Sequence, residues 1–276
     1  MARFLTGVRL HDYGRGPLLD LFAKAKADGF DTVQLALPKA AARVSSFADV
    51  TPEVIEEVNA AIAATGVTVA VMGCYVQMGI DDDVQREKNV ATYLSQLPNA
   101  AAMKALCIGS ETTEMYHYPA GTTHERGQYF FCKSLEKILP EAERLGVQVA
   151  MEPAWHHSVG DVISAKRVID TMQSPNLKVI FDPANLVSWD KKDDQQRIWD
   201  QAGELIGDRI IVVHMKGMQF TPDGTKFAYT HFDDSCVDFE GAFRMLRQLP
   251  QTLPVLREDA DIAIVKEELA YMKSFF

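Results

Sequence analysis

The sequence is short of cysteine and has no long apolar run, which argues against a disulfide-rich protein and against a membrane-spanning one. Its four cysteines are scattered without a Cys-x-x-Cys pair, which argues against a disulfide scaffold and favours reduced thiols. No apolar segment reaches the length of a membrane span, and the N-terminal stretch MARFLTGVRL lacks a signal-peptide pattern. We therefore expect a cytoplasmic protein that has no membrane partner.

A shortage of basic residues narrows the choice of partner. Lysine and arginine number 28 against 38 aspartates and glutamates, so the net charge is −10 and disfavours binding to nucleic acid. An acidic chain of this kind suits a small neutral substrate or a recruited cation. The sequence leaves open whether the chain forms a homo-oligomer.

Short apolar runs alternate with longer amphipathic stretches along the whole chain. The apolar runs predict eight strands, at 4–10, 31–37, 67–73, 104–110, 147–153, 177–183, 209–217 and 253–259. The amphipathic stretches predict eight helices, near 17–28, 51–65, 84–101, 124–145, 161–173, 194–206, 239–249 and 261–274. This alternation, without a linker, predicts a single α/β domain over 1–276, a parallel (β/α)8 TIM barrel.

Two further features support the barrel and locate its site. No Gly-x-Gly-x-x-Gly follows the first strand, which argues against the doubly wound open sheet that is the second-best interpretation. The predicted strand-to-helix loops are long, notably 74–83, 109–123 and 215–238. Long loops on one side of a barrel predict an active site at the C-terminal mouth of the strands.

The last four predicted strands each end in a polar side chain. Those side chains are Glu152, Asp182, His214 and Glu258. Buried carboxylates are costly without a positive partner, and neighbouring strands lie only ~4.8 Å apart. The four side chains therefore predict a site for one divalent ion with oxygen and nitrogen ligands and no thiolate. Mn²⁺ is expected first, with Mg²⁺, Co²⁺ and Zn²⁺ as alternatives.

The same residues lie in motifs that resemble those of the xylose isomerase-like TIM barrel superfamily. The motifs here are MEPAWHH, FDPANL, VVHMKG, VDFEGAF and VLRED, in strand order over nearly the whole chain. The resemblance implies that the four strand-end residues bind one metal ion, and that Glu152 and Glu258 also exchange protons with the substrate. One position departs from the tagatose-type epimerases of that superfamily. Asn185 stands where they have histidine, which keeps a hydrogen-bonding amide but removes a ligand or proton carrier.

Further residues near the strand ends are expected to contact the substrate. They are His156, His157, Asn185, Lys216, Glu111 and His11. The resemblance implies that Lys216, in the His-x-Lys pair, contacts a substrate oxygen or a phosphate. The alternative is that the Lys216 ammonium is only a solvated charge. Glu111 and His11 also have a structural interpretation, as a helix cap and a barrel-mouth histidine. An apolar wall for a sugar ring is expected from Trp155, Phe220, Tyr229 and Phe232.

The resemblance and the strand-end cluster predict a metal-dependent isomerase or epimerase of a small ketose or polyol-derived ketone. The reaction would pass through an enediolate that the metal stabilises, with Glu152 and Glu258 as the acid–base pair. A lyase that dehydrates a keto-sugar or keto-inositol shares the first half of this mechanism and stays open. Two weaker alternatives are a non-catalytic sugar-binding barrel and an endonuclease IV-like phosphodiesterase, for which seven histidines are few.

Overall fold

Eight parallel strands close into a barrel in a computed structural model, which describes residues 3–276. The ten strands in these residues are β1 (Arg3–Arg9), β2 (Thr32–Leu35), β3 (Thr68–Gly73), β4 (Cys107–Glu111), β5 (Val149–Glu152), β6 (Leu177–Phe181), β7 (Ile210–Met215), β8 (Gly217–Phe220), β9 (Phe227–Thr230) and β10 (Thr252–Arg257). Hydrogen-bonded neighbours run from β1 through β7 to β10 and back to β1. The predicted TIM barrel is therefore confirmed.

The predicted helices are present between the strands, together with two short additional ones. In chain order the helices are α1 (Leu18–Asp28), α2 (Leu37–Ala40), α3 (Pro52–Thr65), α4 (Asp83–Ala102), α5 (His124–Leu145), α6 (Val162–Met172), α7 (Pro183–Leu186), α8 (Gln195–Ile206), α9 (Phe239–Leu246) and α10 (Val265–Lys273). The short α2 and α7 follow β2 and β6 directly. Within residues 3–276, no helix combines the length and apolarity needed to cross a bilayer.

The long helices bury an apolar stripe against the barrel, as α8 illustrates. Its buried positions follow the i, i+3, i+4, i+7, i+11 spacing of one helix face: Gln195, Ile198, Trp199, Ala202 and Ile206. The ring of Trp199 meets the ring of Phe181 edge-on, with centroids 5.9 Å apart. Because Phe181 ends β6, this contact fixes the point at which the chain leaves the barrel wall and Asp182 begins.

The interior of the barrel is filled by a layer of small and aliphatic side chains. They are Ala70, Val71, Cys107, Ala150, Ile180, Val212 and Leu256. Side chains on a strand alternate between its two faces, so the residue two positions further along points to the same side. Two positions beyond Ala150, Ile180, Val212 and Leu256 stand the four strand-end residues predicted as ligands. The apolar layer is thus the floor on which that cluster lies.

The loop after β7 contains a hairpin that the sequence analysis did not predict. Strands β8 and β9 pair antiparallel across a turn in which the Thr221 amide donates to the Lys226 carbonyl at 2.9 Å. Gly224 in this turn has φ +69°, and a Cβ there would lie 2.3 Å from the Trp189 ring. The Pro222-Asp223-Gly224 stretch is a turn signal, so the hairpin was detectable from sequence.

The tight barrel interior yields a prediction about stability. A Cβ added at Gly109 would lie 2.7 Å from both Ile180 Cδ1 and Val71 Cγ1. We expect Gly109→Ala to lower the free energy of unfolding by ~1–3 kcal/mol, because a filled core resists added volume. Urea denaturation measures the change. Gly16→Ala is the matched control, since its nearest neighbouring atom would be 3.9 Å away. Equal stability of the two variants would contradict this account of the interior.

Candidate metal centre

The four strand-end residues converge at the C-terminal mouth of the barrel. One ligand atom from each of Glu152, Asp182, His214 and Glu258 lies within 4.8 Å of the others. All four side chains are buried, the most exposed being Glu258 at 6%. Ligands on opposite sides of one ion lie ~4–5 Å apart when each bond is ~2.0–2.5 Å. The cluster therefore has the dimensions of a site for a single ion.

His214 provides the test of whether a metal fits. Its Nδ1 lies 3.1 Å from Glu152 Oε2 and 3.3 Å from Glu258 Oε1. Yet neither ring nitrogen has a hydrogen-bond partner among the described residues, although the side chain is wholly buried. A buried polar atom without a partner is costly. A divalent ion between the imidazole and the carboxylates would give Nδ1, the nitrogen that faces them, a partner, so the donor set fits a metal.

Asp182 is held by the start of the short helix that follows it. Its Oδ1 accepts hydrogen bonds from the amides of Ala184 at 2.9 Å and Asn185 at 3.3 Å. Pro183 suits the first helical position because that position needs no amide donor. The Asp-Pro sequence thus caps α7 with one carboxylate oxygen and leaves Oδ2 for the cluster.

Lys216 lies inside the cluster and is not the solvated charge that the sequence allowed. Its Nζ is 2.9 Å from Asp182 Oδ2 and 2.9 Å from Glu258 Oε2. The residue as a whole is 3% exposed. The ammonium also lies 4.7 Å from the centroid of the Tyr229 ring. The substrate contact expected of Lys216 stays a prediction.

Burial and mutual attraction set the pKa values of the cluster. Burial lowers the pKa of His214, but Glu258 and Glu152 outweigh this and raise it to about 9. Burial raises the pKa of Asp182 to about 6, although Lys216 opposes the shift. Burial also opposes charge on Lys216, yet Asp182 and Glu258 bring its pKa well above the usual value. Against burial, His214 and Lys216 keep the pKa of Glu258 well below its usual range.

Asn185 supports the carboxylate of Glu152 directly. Its side-chain Nδ2 donates to Glu152 Oε1 at 2.7 Å, and both side chains are buried. Oε1 is thereby occupied, and Oε2 is the oxygen that faces His214. The asparagine that replaces the histidine of tagatose-type epimerases therefore orients a predicted ligand. Whether it also contacts the substrate is untested.

Glu111 ends β4 and His11 follows β1, and these two strands flank the four that carry the predicted ligands. Glu111 is in register with Glu152 on the neighbouring strand, and burial and the Glu152 charge raise its pKa to about 8. Burial and the nearby Arg9 lower the pKa of His11 to about 4. Within the described part of the chain, no side-chain hydrogen bond joins either residue to the four predicted ligands. Their expected substrate contacts stay predictions.

The histidine pair after β5 belongs to an aromatic cluster at the rim. The rings of His156 and His157 lie 4.4 Å apart, and His156 lies 5.5 Å from Phe227 on the hairpin. Burial, followed by the neighbouring His157, lowers the pKa of His156 to about 4. Burial also lowers the pKa of His157. Two histidines that favour the neutral state are suited to hydrogen bonding, and their roles stay predictions.

The apolar wall forms along the hairpin, with one correction to its membership. Trp155 packs against Phe227 at 5.4 Å and Phe220 at 6.4 Å. Tyr229 extends the wall from Phe227, with ring centroids 5.7 Å apart. The expectation for Phe232 was wrong. After β9 the chain turns away from the mouth, and Phe232 stacks on α10 and covers the guanidinium of the buried Arg257.

Three residues near the cluster were not among the site residues predicted from the sequence. Gln34 lies on β2, one residue before its end, is buried and donates through Nε2 to the Tyr75 hydroxyl. Burial and the nearby Glu258 raise the pKa of Tyr75 well above its usual value. Arg9 ends β1 and pairs with Asp12 at 2.8 Å. A polar residue at the end of an apolar run, the signal that found the ligands, also marks Arg9, whereas Gln34 lies within an apolar run and lacks that signal.

Comparison with solved structures finds the same fold in proteins of low sequence identity. A 3-keto-D-glucoside 4-epimerase from E. coli is 17% identical, with a TM-score of 0.74 over 99% of this chain and 100% of that chain. A probable 3-DHS dehydratase from Bacillus anthracis is 15% identical, with a TM-score of 0.71 over 99% of both chains. A xylose isomerase-like TIM barrel protein from Mycobacterium smegmatis, in complex with magnesium, is 14% identical, with a TM-score of 0.71 over 100% of this chain and 96% of that chain.

Comparison at the level of sequence gives a family but no close relative. None of the curated proteins matches the chain. The profile of one family matches residues 22–275. These residues include all four predicted ligands and every strand of the barrel except β1. The chain belongs to the xylose isomerase-like TIM barrel family.

Proposed function

We propose that the chain is a divalent-metal-dependent isomerase or epimerase of a small ketose or related polyol-derived ketone. The observation that carries this proposal is the convergence of two glutamates, an aspartate and a histidine within 4.8 Å at the barrel mouth. Family membership and the E. coli epimerase of similar fold support it. The net charge of −10 favours a small carbohydrate over nucleic acid as the partner.

Glu152, Asp182, His214 and Glu258 would hold the ion. Carboxylates with one imidazole suit Mn²⁺, Mg²⁺, Co²⁺ or Zn²⁺, with Mn²⁺ our first choice. When bound, the ion would polarise the substrate carbonyl and offset the negative charge that develops on its oxygen.

The chain's own side chains would move the proton. The C–H beside a carbonyl is weakly acidic, so its removal needs a carboxylate placed against that carbon. Glu152 and Glu258 both border the space beside His214 Nδ1, at 3.1 and 3.3 Å. One would take the proton, and the other could return it to the opposite face, which inverts the carbon. Isomerisation would need one face only, and the aromatic wall would exclude water.

A dehydratase is the second candidate, supported by the similar fold of the probable dehydratase from Bacillus anthracis. The same carboxylate would remove the proton. A hydroxyl on the next carbon would then take a proton from a protonated glutamate of the site and leave as water, with the electron pair of the broken C–H bond forming the double bond. The two candidates differ only after the first proton transfer, so the products distinguish them.

Metal content is the first prediction. Purified protein incubated with Mn²⁺ and desalted should retain about one ion per chain by elemental analysis, because the four ligands are preassembled. Asp182→Ala should lose that ion, whereas Asp208→Ala, which changes an exposed aspartate, should keep it. Retention of the ion by Asp182→Ala would contradict the proposed ligand set.

Proton release on metal binding is the second prediction. In the metal-free protein the pKa of His214 is about 9 and that of Asp182 is about 6. Since a ligand must be deprotonated, metal binding at pH 7.5 should release about one proton, from His214. Affinity should rise roughly tenfold per pH unit from pH 6 to 9 and more steeply below 6. Calorimetry in buffers of different ionisation enthalpy counts the proton, and a count of zero contradicts the prediction.

Exchange of substrate hydrogen is the third prediction and tests the chemistry. In D₂O, metal-loaded protein should introduce deuterium beside the carbonyl of an accepted ketose or keto-polyol, measured by mass spectrometry. Glu152→Gln or Glu258→Gln should slow exchange by ~10²–10⁴-fold, because each removes a proton carrier. Glu136→Gln, an exposed change on α5, is the control. Loss of one water from the product would identify a dehydratase, and exchange at the wild-type rate in both variants would exclude their proposed roles.

A further inference from the structure

Lys216 places a positive charge where the metal ligands converge. Its Nζ bridges Asp182 Oδ2 and Glu258 Oε2, with both distances 2.9 Å. The ammonium is fully enclosed, since the residue is 3% exposed. A buried cation beside two carboxylates offsets much of the cost of burying them. In the metal-free protein, Lys216 therefore supplies part of the positive charge that a metal ion would bring.

The lysine and a metal would need the same atom of Asp182. Oδ1 already accepts the amides of Ala184 and Asn185, which cap α7. Only Oδ2 faces the cluster, and Lys216 contacts it. Glu258 differs, because its Oε1 faces His214 at 3.3 Å while Oε2 faces the lysine. Competition should therefore be strongest at Asp182.

The hairpin gives the ammonium a further partner that it can keep when a metal takes its carboxylates. The Tyr229 ring on β9 has its centroid 4.7 Å from Lys216 Nζ, a distance at which a cation is attracted to an aromatic face. Tyr229 itself is 43% exposed. A lysine has four rotatable carbon bonds, so its head can move toward this ring and the open mouth without a change in the backbone.

We propose that Lys216 is the resident counter-ion of the metal-free site, and that a divalent ion must compete with its ammonium for Asp182 and Glu258. Metal entry moves the ammonium toward Tyr229. The inference rests on the proposed metal site and adds to it a built-in limit on metal affinity. It also explains how a cluster rich in carboxylates stays folded before metal arrives.

The first test compares Mn²⁺ affinity, by calorimetry, in the wild type and Lys216→Met after removal of metal with a chelator. We expect affinity to increase by at least about tenfold, because one positive charge a few ångströms from the ion is removed. The thermal midpoint of the metal-free variant should fall, and Mn²⁺ should restore more of it than in the wild type. Lys226→Met, an exposed change on the same hairpin, should alter neither quantity.

The outcomes separate this inference from the proposed function. Unchanged or weaker Mn²⁺ affinity in Lys216→Met, with normal binding by the wild type, would overturn the inference alone. It would mean that Lys216 supports the ligands without competing with the ion. Failure of the wild type to bind Mn²⁺, Mg²⁺, Co²⁺ or Zn²⁺ would overturn the proposed function and the inference together.

A second test needs only the wild type and so does not depend on the variant folding. Brief acetylation of lysines, measured by mass spectrometry, is run with and without Mn²⁺. Acetylation at Lys216 should increase several-fold with Mn²⁺, relative to the exposed Lys133, because the displaced ammonium leaves its carboxylate partners. Equal or lower acetylation of Lys216 in the presence of bound Mn²⁺ would overturn the displacement.

Discussion

The mouth of this barrel is organised by the need to balance buried negative charge. Three carboxylates, from Glu152, Asp182 and Glu258, share a space that is nearly closed to water. Buried ions of one sign are unstable unless cations and hydrogen-bond donors surround them. The cations here are the imidazole, in its protonated form, and a buried ammonium, and the hydrogen-bond donors are backbone amides and an asparagine side chain. The arrangement suits a divalent ion because no other group brings as much positive charge in so small a volume.

The barrel makes this cluster available through a simple geometric rule. Parallel strands end at the same rim, and side chains two positions apart share a face. The apolar layer that includes Ile180 and Val212 fills the interior, and the next inward positions are Asp182 and His214. The residues that pack the core and the residues of the candidate site are therefore only two positions apart along each strand. The carboxylates of the cluster can therefore repel one another while the layer beneath them stays close-packed.

The other side of the site comes from loops rather than from the barrel wall. The hairpin after β7 lies against Trp155, which itself follows β5, so two loops build one aromatic surface. This surface borders the carboxylates through the contact between Tyr229 and Lys216. Loops of a barrel vary in sequence more readily than its strands, and substrate preference is usually found there. Family membership accordingly says more about the metal centre than about the substrate.

The sequence alone determined the alternation of strands and helices and the positions of the four residues that converge at the barrel mouth. Both depend on local patterns: apolar periodicity, and a polar residue where an apolar run ends. It could not determine that Lys216 turns inward to the carboxylates, that Phe232 leaves the mouth, or that Tyr75 accepts a hydrogen bond from Gln34. Those outcomes are set by contacts between segments far apart in the chain. No local pattern encodes which distant partner a flexible side chain or a long loop will meet, so only the tertiary structure decided them.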